Sequence, residues 1–128
     1  MTVLLVEDSE VVREGLVNLL RQHLPAPVDI LHATNPEDAL LHLRAWAPHV
    51  VLLDLQLEQG NGMDVLEVMK AENITAPVVV LTNHSLPQVR QRCLQAGARC
   101  FFDKSLEFDL AVAAVRALAK ERRGGCNS

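Results

Sequence analysis

The sequence predicts an α/β fold: a doubly wound parallel sheet of five strands with helices on both faces. Short apolar runs alternate with amphipathic stretches five times over, a pattern that calls for parallel strands joined by right-handed helical crossovers. The runs at residues 50–53 and 78–81 are apolar at every position, as strands buried on both faces must be. At 128 residues the chain is one domain by size, long enough to bury a sizeable core.

Each element has its own signal. Thr2 to Val6 is a β-rich apolar run that ends in Glu7-Asp8. Ser9 reads as a helix N-cap, with Val12, Leu16, Leu19, Leu20 and Leu24 at helical spacing behind it. Pro25-Ala26-Pro27 stops that helix. Val28 to Ala33 reads as the second strand. Asn35-Pro36-Glu37 supplies a cap, a first-turn proline and a first-turn acid for a helix through Trp46. The third strand lies within the stretch from His49 to Leu55 and is followed by a glycine-bearing loop, Gly60-Asn61-Gly62. A helix from about Met63 to Glu72 follows, then a strand from Val78 to Thr82 introduced by Pro77. The fourth helix is expected from about Leu86 to Gln95, closing at Gly97 as a C-cap. Arg99 to Asp103 is the fifth strand, and a last helix runs from Ser105 to about Arg122. Residues 1–123 are thus expected to form the domain, and residues 124–128 a flexible tail.

Composition excludes several functions. Hydrophobic residues make up 49% of the chain and charged ones 22%, which argues against disorder. With a net charge of −4 and no basic run beyond Arg122-Arg123, there is no electrostatic footprint for nucleic acid. The N-terminal apolar run is too short for a signal peptide or a membrane span. Three cysteines, Cys93, Cys100 and Cys126, lack the spacing of a zinc site and fit a reducing, cytoplasmic setting.

Polar groups gather where the strands end. The first strand leads into Glu7-Asp8, the third into Asp54, the fourth ends at Thr82, and the fifth leads into Lys104. In a parallel sheet these ends share one edge, the edge at which open α/β sheets bind ligands. Taken singly, each residue has a plain structural role: first-turn acid, turn former, strand residue or exposed cation. Taken together they make a site. Three crowded carboxylates repel and raise one another's pKa values unless a cation is present, and Mg²⁺ with oxygen ligands is the natural one. A lysine and a hydroxyl beside it suit a ligand with phosphoryl oxygens.

These residues, in this order, resemble the receiver domain of bacterial two-component response regulators over essentially the whole chain. The matching motifs are Val6-Glu7-Asp8-Ser9, Leu53-Asp54-Leu55, Gly60-Asn61-Gly62, Leu81-Thr82 and Asp103-Lys104. The resemblance implies a flavodoxin-like receiver fold in which Asp54 accepts a phosphoryl group from a histidine kinase or a histidine phosphotransfer protein. It implies that Glu7, Asp8, Asp54 and the backbone carbonyl of Gln56 bind Mg²⁺. Thr82 and Lys104 would hold the phosphoryl oxygens. Phe101 stands where the family has a switch aromatic, with ordinary packing as its other role. Gln56 and His84 stand at positions flanking the path of attacking water and are expected to tune phosphoryl lifetime.

The chain departs from the family at three places. Glu58 and Ser105 stand where prolines are common, and Ser105 is expected to cap the last helix instead. Asn83 is larger than the residue usual after the switch threonine. None of these touches the acids or the lysine. A pseudo-receiver that binds partners without phosphorylation is the alternative, and a metal-dependent hydrolase is disfavoured because Gln56 is not an acid.

The last helix is apolar on two sides. On a wheel of about 100° per residue, Leu106 and Leu110 fall together, with Phe108, Val112 and Val115 roughly opposite. A helix lying on a sheet buries one stripe, so the other is expected to meet a partner or a second copy. The interface is assigned here to Phe108, Val112 and Val115, on the face of fourth helix, fifth strand and fifth helix that receivers use for dimers.

Overall fold

A computed structural model describes residues 1–83 and 85–123. Its elements in chain order are β1 (Thr2–Val6), α1 (Glu10–His23), β2 (Asp29–Ala33), α2 (Pro36–Trp46), β3 (Val50–Leu53), β4 (Gln56–Leu57), β5 (Gly60–Asn61), α3 (Gly62–Ala71), β6 (Val78–Thr82), α4 (Pro87–Gln95), β7 (Cys100–Asp103) and α5 (Phe108–Arg123). Five strands form one parallel sheet in the order β2-β1-β3-β6-β7. The doubly wound architecture expected from the sequence is therefore the one observed.

The three inner strands alternate side chains between two separate cores. Val3, Leu5, Val50, Leu52, Val79 and Leu81 face α1 and α5, where they meet Leu16, Leu20, Ala111, Val115 and Leu118. Leu4, Val6, Val51, Leu53, Val78 and Val80 face α2, α3 and α4 and pack on Ala39, Leu43, Leu66, Met69 and Cys93. Burial on both sides is why these runs carry no polar residue until the strands end. The outer strand β2 is only partly covered: Leu31 and Ala33 join one core and Ile30 the other, while Asp29 and His32 are exposed.

The helix starts follow from their caps. Ser9 Oγ accepts from the Val12 amide at 3.4 Å and Asn35 Oδ1 from the Asp38 amide at 2.9 Å. Asn61 Oδ1 accepts from the Met63 amide at 2.8 Å, which starts α3 at Gly62. Gly97, at φ +104°, lies just beyond the end of α4 in a conformation that suits glycine.

Three expectations need correction. The loop after Asp54 contains a short antiparallel hairpin, β4 with β5, pairing Gln56 with Asn61 and Leu57 with Gly60. The last helix begins at Phe108 rather than Ser105. Ser105 is not its cap, because its amide and hydroxyl both turn back to Asp103 Oδ1, at 2.8 and 2.6 Å. The interface assigned to Phe108, Val112 and Val115 is also overturned. Val112 and Val115 are 3% and 0% exposed in the core under α5, with Phe108 packed against the same cluster. The outward apolar side chains are Leu106 (84% exposed) and Leu110 (54%).

This assignment of faces has a direct check in urea denaturation. Val115→Ala is expected to cost about 1–3 kcal/mol, as a cavity in a closed core does. Leu106→Ala is expected to stay within about 0.5 kcal/mol. Equal effects would reverse the faces.

Candidate functional site

Four strand ends meet at the carboxyl edge of the sheet. The ladder runs past the strands themselves: the Glu7 amide donates to Ala33 O at 3.0 Å, the Asp54 amide to Val6 O at 3.0 Å, and the Lys104 amide to Thr82 O at 2.9 Å. Glu7, Asp54 and Lys104 are thus mounted on backbone held by the neighbouring strand. One oxygen each from Glu7, Asp8 and Asp54 lies within 4.8 Å of the others, a cluster that can hold a metal ion.

Lys104 supplies the counter-charge. Its Nζ lies 2.8 Å from Asp54 Oδ2 and pairs with Glu7 Oε1. Burial works to lower the Lys104 pKa, but its hydrogen bonds to Asp54 and Glu7 outweigh that and raise it. Glu7 is 1% exposed. Burial pushes its carboxyl pKa up, Lys104 and the Ser9 amide pull it down, and the nearby Asp54 charge adds to the rise.

Each carboxylate is also aimed by a backbone amide. Glu7 Oε2 accepts from Ser9 N at 3.2 Å, Asp54 Oδ1 from Gln56 N at 3.1 Å, and Asp8 Oδ2 from Glu58 N. Glu7 Oε1 is buried, has the ion pair with Lys104, and accepts no well-directed hydrogen bond. A buried carboxylate oxygen left in that state among two other acids is suited to a hard divalent cation. The oxygen donor set fits such an ion, and no thiol or imidazole belongs to the cluster.

The hairpin holds this arrangement in place. Gly62 N donates to Leu55 O at 2.9 Å. A Cβ at Gly62 would stand 2.9 Å from Leu55 Cα, so only glycine lets α3 approach the residue after Asp54 so closely.

Glu7, Asp8, Asp54 and Lys104 come together as the sequence suggested. Thr82 is buried at the end of β6, opposite Asp103 in register. Phe101 is 6% exposed and lies inward, in the core beneath α4. Gln56 is exposed at the hairpin, and His84 lies outside the described residues. Two contributors escaped the sequence reading. The Glu58 amide reaches Asp8, a bond that a proline at this position would lack. Asp103 gathers Ser85 and Ser105 beside Lys104. The departures from proline were visible in the sequence, but not what the freed amides would bond.

Comparison with known proteins agrees with this geometry. The model of the response regulator receiver domain family matches residues 3–116. The transcriptional regulatory protein PmrA of Pectobacterium parmentieri is 30% identical over 128 residues, all of this chain and 56% of that protein. The protein-glutamate methylesterase/protein-glutamine glutaminase of Treponema denticola is 35% identical over 104 residues, 80% of this chain and 28% of that protein. The chain therefore spans only part of the length of these curated relatives. The solved signal receiver domain of a DNA binding response regulator protein from Colwellia psychrerythraea superposes with a TM-score of 0.83 at 26% identity, covering 94% of this chain and 98% of that one.

The raised pKa of Glu7 carries a stability prediction. Its protonated form favours the fold, a contribution present below the ordinary glutamate range and lost as pH rises through the folded value. Glu7→Gln is therefore expected to raise the melting temperature of the metal-free protein at pH 7 by a few degrees. The gain should vanish in acid, where both side chains are neutral. A mutant less stable at pH 7 would show that the pull of Lys104 outweighs burial.

Proposed function

The chain belongs to the response regulator receiver domain family, the receivers of two-component systems, and from that premise we propose that it accepts a phosphoryl group on Asp54. The observation that carries this reading is the contact of Lys104 Nζ with Asp54 Oδ2, set inside a cluster of three carboxylates. Receivers work with histidine kinases and phosphotransfer proteins, and the donor proposed here is the phosphohistidine of one of these. An Asp54 oxygen attacks phosphorus, the N–P bond breaks, an O–P bond forms, and imidazole leaves. A carboxylate is a weak nucleophile, so in-line placement against a good leaving group does most of the work.

This chain's residues would then act in order. Lys104 exchanges its contact with Asp54 for the incoming phosphoryl oxygens, keeping its charge beside the reacting centre. Thr82, at the end of the next strand, donates its hydroxyl to the same group. The Gln56 amide keeps the Asp54 carboxylate oriented. Mg²⁺ bound by Glu7, Asp8, Asp54 and the Gln56 carbonyl would neutralise charge on the transferring group. Movement of Thr82 would then be passed to Phe101 in the core beside it. The surface that reads this change is placed at α4, β7 and α5, now with Leu106 and Leu110 as its outward apolar groups, for a second copy or a partner. Among the described residues no helix is long and apolar enough to cross a membrane, and a cytoplasmic setting is proposed.

Intact mass after incubation with acetyl phosphate and Mg²⁺ tests the reading. One phosphoryl adduct is expected on the wild type, and none on Asp54→Asn, on Asp8→Ala or in EDTA. Labelling of Asp54→Asn overturns the acceptor, and labelling in EDTA overturns the metal. A wild type that never labels supports the pseudo-receiver instead, and rapid turnover without an adduct supports the hydrolase.

Lifetime is a separate prediction. Replacing the exposed Gln56 side chain by leucine is expected to slow loss of the adduct, because a polar group that can orient water is removed. An unchanged rate would take Gln56 out of hydrolysis.

A further inference from the structure

The amino edge of the sheet, opposite the carboxylates, holds a cavity of about 470 Å³. It lies where α3 and α4 both leave their helices through a left-handed residue, Asn73 (φ +56°) and Gly97 (φ +104°). The Ile74 and Ala98 amides then turn back to Met69 O and Cys93 O, each at 2.9 Å. Between the two turns the chain enters β6 through Thr75-Ala76-Pro77, and α5 contributes Leu118 and Glu121 to the lining. None of the lining residues belongs to the carboxylate cluster, so this space is independent of the site around Asp54.

Most of the wall is apolar. Leu66, Met69 and Val78 come from one core and Leu118 from the other, while Ile74 and Ala76 are only partly buried. Sites for small molecules are concave, about 300–1,000 Å³, and mostly apolar with few charged groups. The charges here are three, and they do not cancel. Arg99 is matched by Glu121 at 3.1 Å. Lys70 donates to the Gln95 carbonyl at 3.1 Å, and among the described residues it has no carboxylate within 4.0 Å. An ammonium has three donors, and that bond occupies one of them.

We propose that this cavity binds a small carboxylic acid with an apolar body, the body against Leu66, Met69 and Leu118 and the carboxylate at Lys70. The body covers Ile74 and Ala76, which are otherwise left partly in water. The carboxylate gives Lys70 the charge-assisted partner that the chain itself does not supply. A cationic ligand would be repelled by Lys70, and a dianion would bring two charges to one unmatched cation.

The test titrates 2-naphthoate, and 2-naphthamide as its uncharged counterpart, into the full ¹⁵N-labelled chain and follows amide chemical shifts. Saturable shifts are expected at residues 69–78 and 95–99, with the acid binding about threefold to tenfold more tightly than the amide. Lys70→Gln is expected to remove that preference while leaving naphthamide binding as it was. Ala96→Phe, which fills the cavity with a ring, is expected to abolish saturable binding of both. Thr75→Trp, at an exposed position of the same lining, reads the same loss should the first variant fail to fold. Absence of saturable shifts at these residues, or equal affinity for acid and amide, overturns the proposal. A preference that survives Lys70→Gln, or wild-type binding in the filled variants, overturns it as well.

Discussion

Three carboxylates brought to one sheet edge repel one another, and the ammonium of Lys104, against Asp54 and Glu7, is what lets the metal-free chain close there. Unpaired ionised groups at this depth would be expelled or would stay protonated. The contact reaches from the end of β7 to the ends of β3 and β1, so it also ties three strands across the sheet. Everything else at the edge is built around it. Backbone amides take one oxygen each of Asp54, Asp8 and Glu7, and among the buried side-chain atoms of the described residues Glu7 Oε1 lacks a well-directed hydrogen bond. An edge so arranged is stable enough to fold, yet keeps a place for further positive charge.

The same balance explains why stability and chemistry pull apart here. Burial disfavours the charged form of Glu7, yet an acid stands there rather than a neutral isostere. Functional sites are where such local costs persist, offset by the rest of the structure. The offset is visible in the two cores, whose inner strands are almost wholly aliphatic.

Much of this was legible in the residues themselves. Val50 to Leu53 and Val78 to Leu81 could only be strands buried on both faces, and the first polar residue after each marks the sheet edge. The caps at Ser9 and Asn35 were legible because a side chain makes the bond. What stayed hidden was made by backbone or by competition. Nothing in the letters at 56–61 says that Gln56 and Asn61 pair, or that the Glu58 amide turns to Asp8. Ser105 looked like a cap because serine is one elsewhere, but Asp103 two residues earlier is the stronger acceptor for its donors. On the last helix two apolar stripes competed for one sheet. The stripe of Val112 and Val115, together with Ala111 and Ala119, is the one that is buried.

The division of the interior into two layers has a consequence for how the sequence can drift. Val3, Leu5, Val50 and Leu52 touch one layer, and Leu4, Val6, Val51 and Leu53 the other, with a single sheet of backbone between them. A volume lost at Leu52 can be refilled from Leu16, which lines the same space, but not from Leu66 or Met69. Compensating changes should therefore travel together within a layer and ignore the layer behind it, since distant sites without shared partners act independently. The chain carries two packing records written on alternate letters of the same strands.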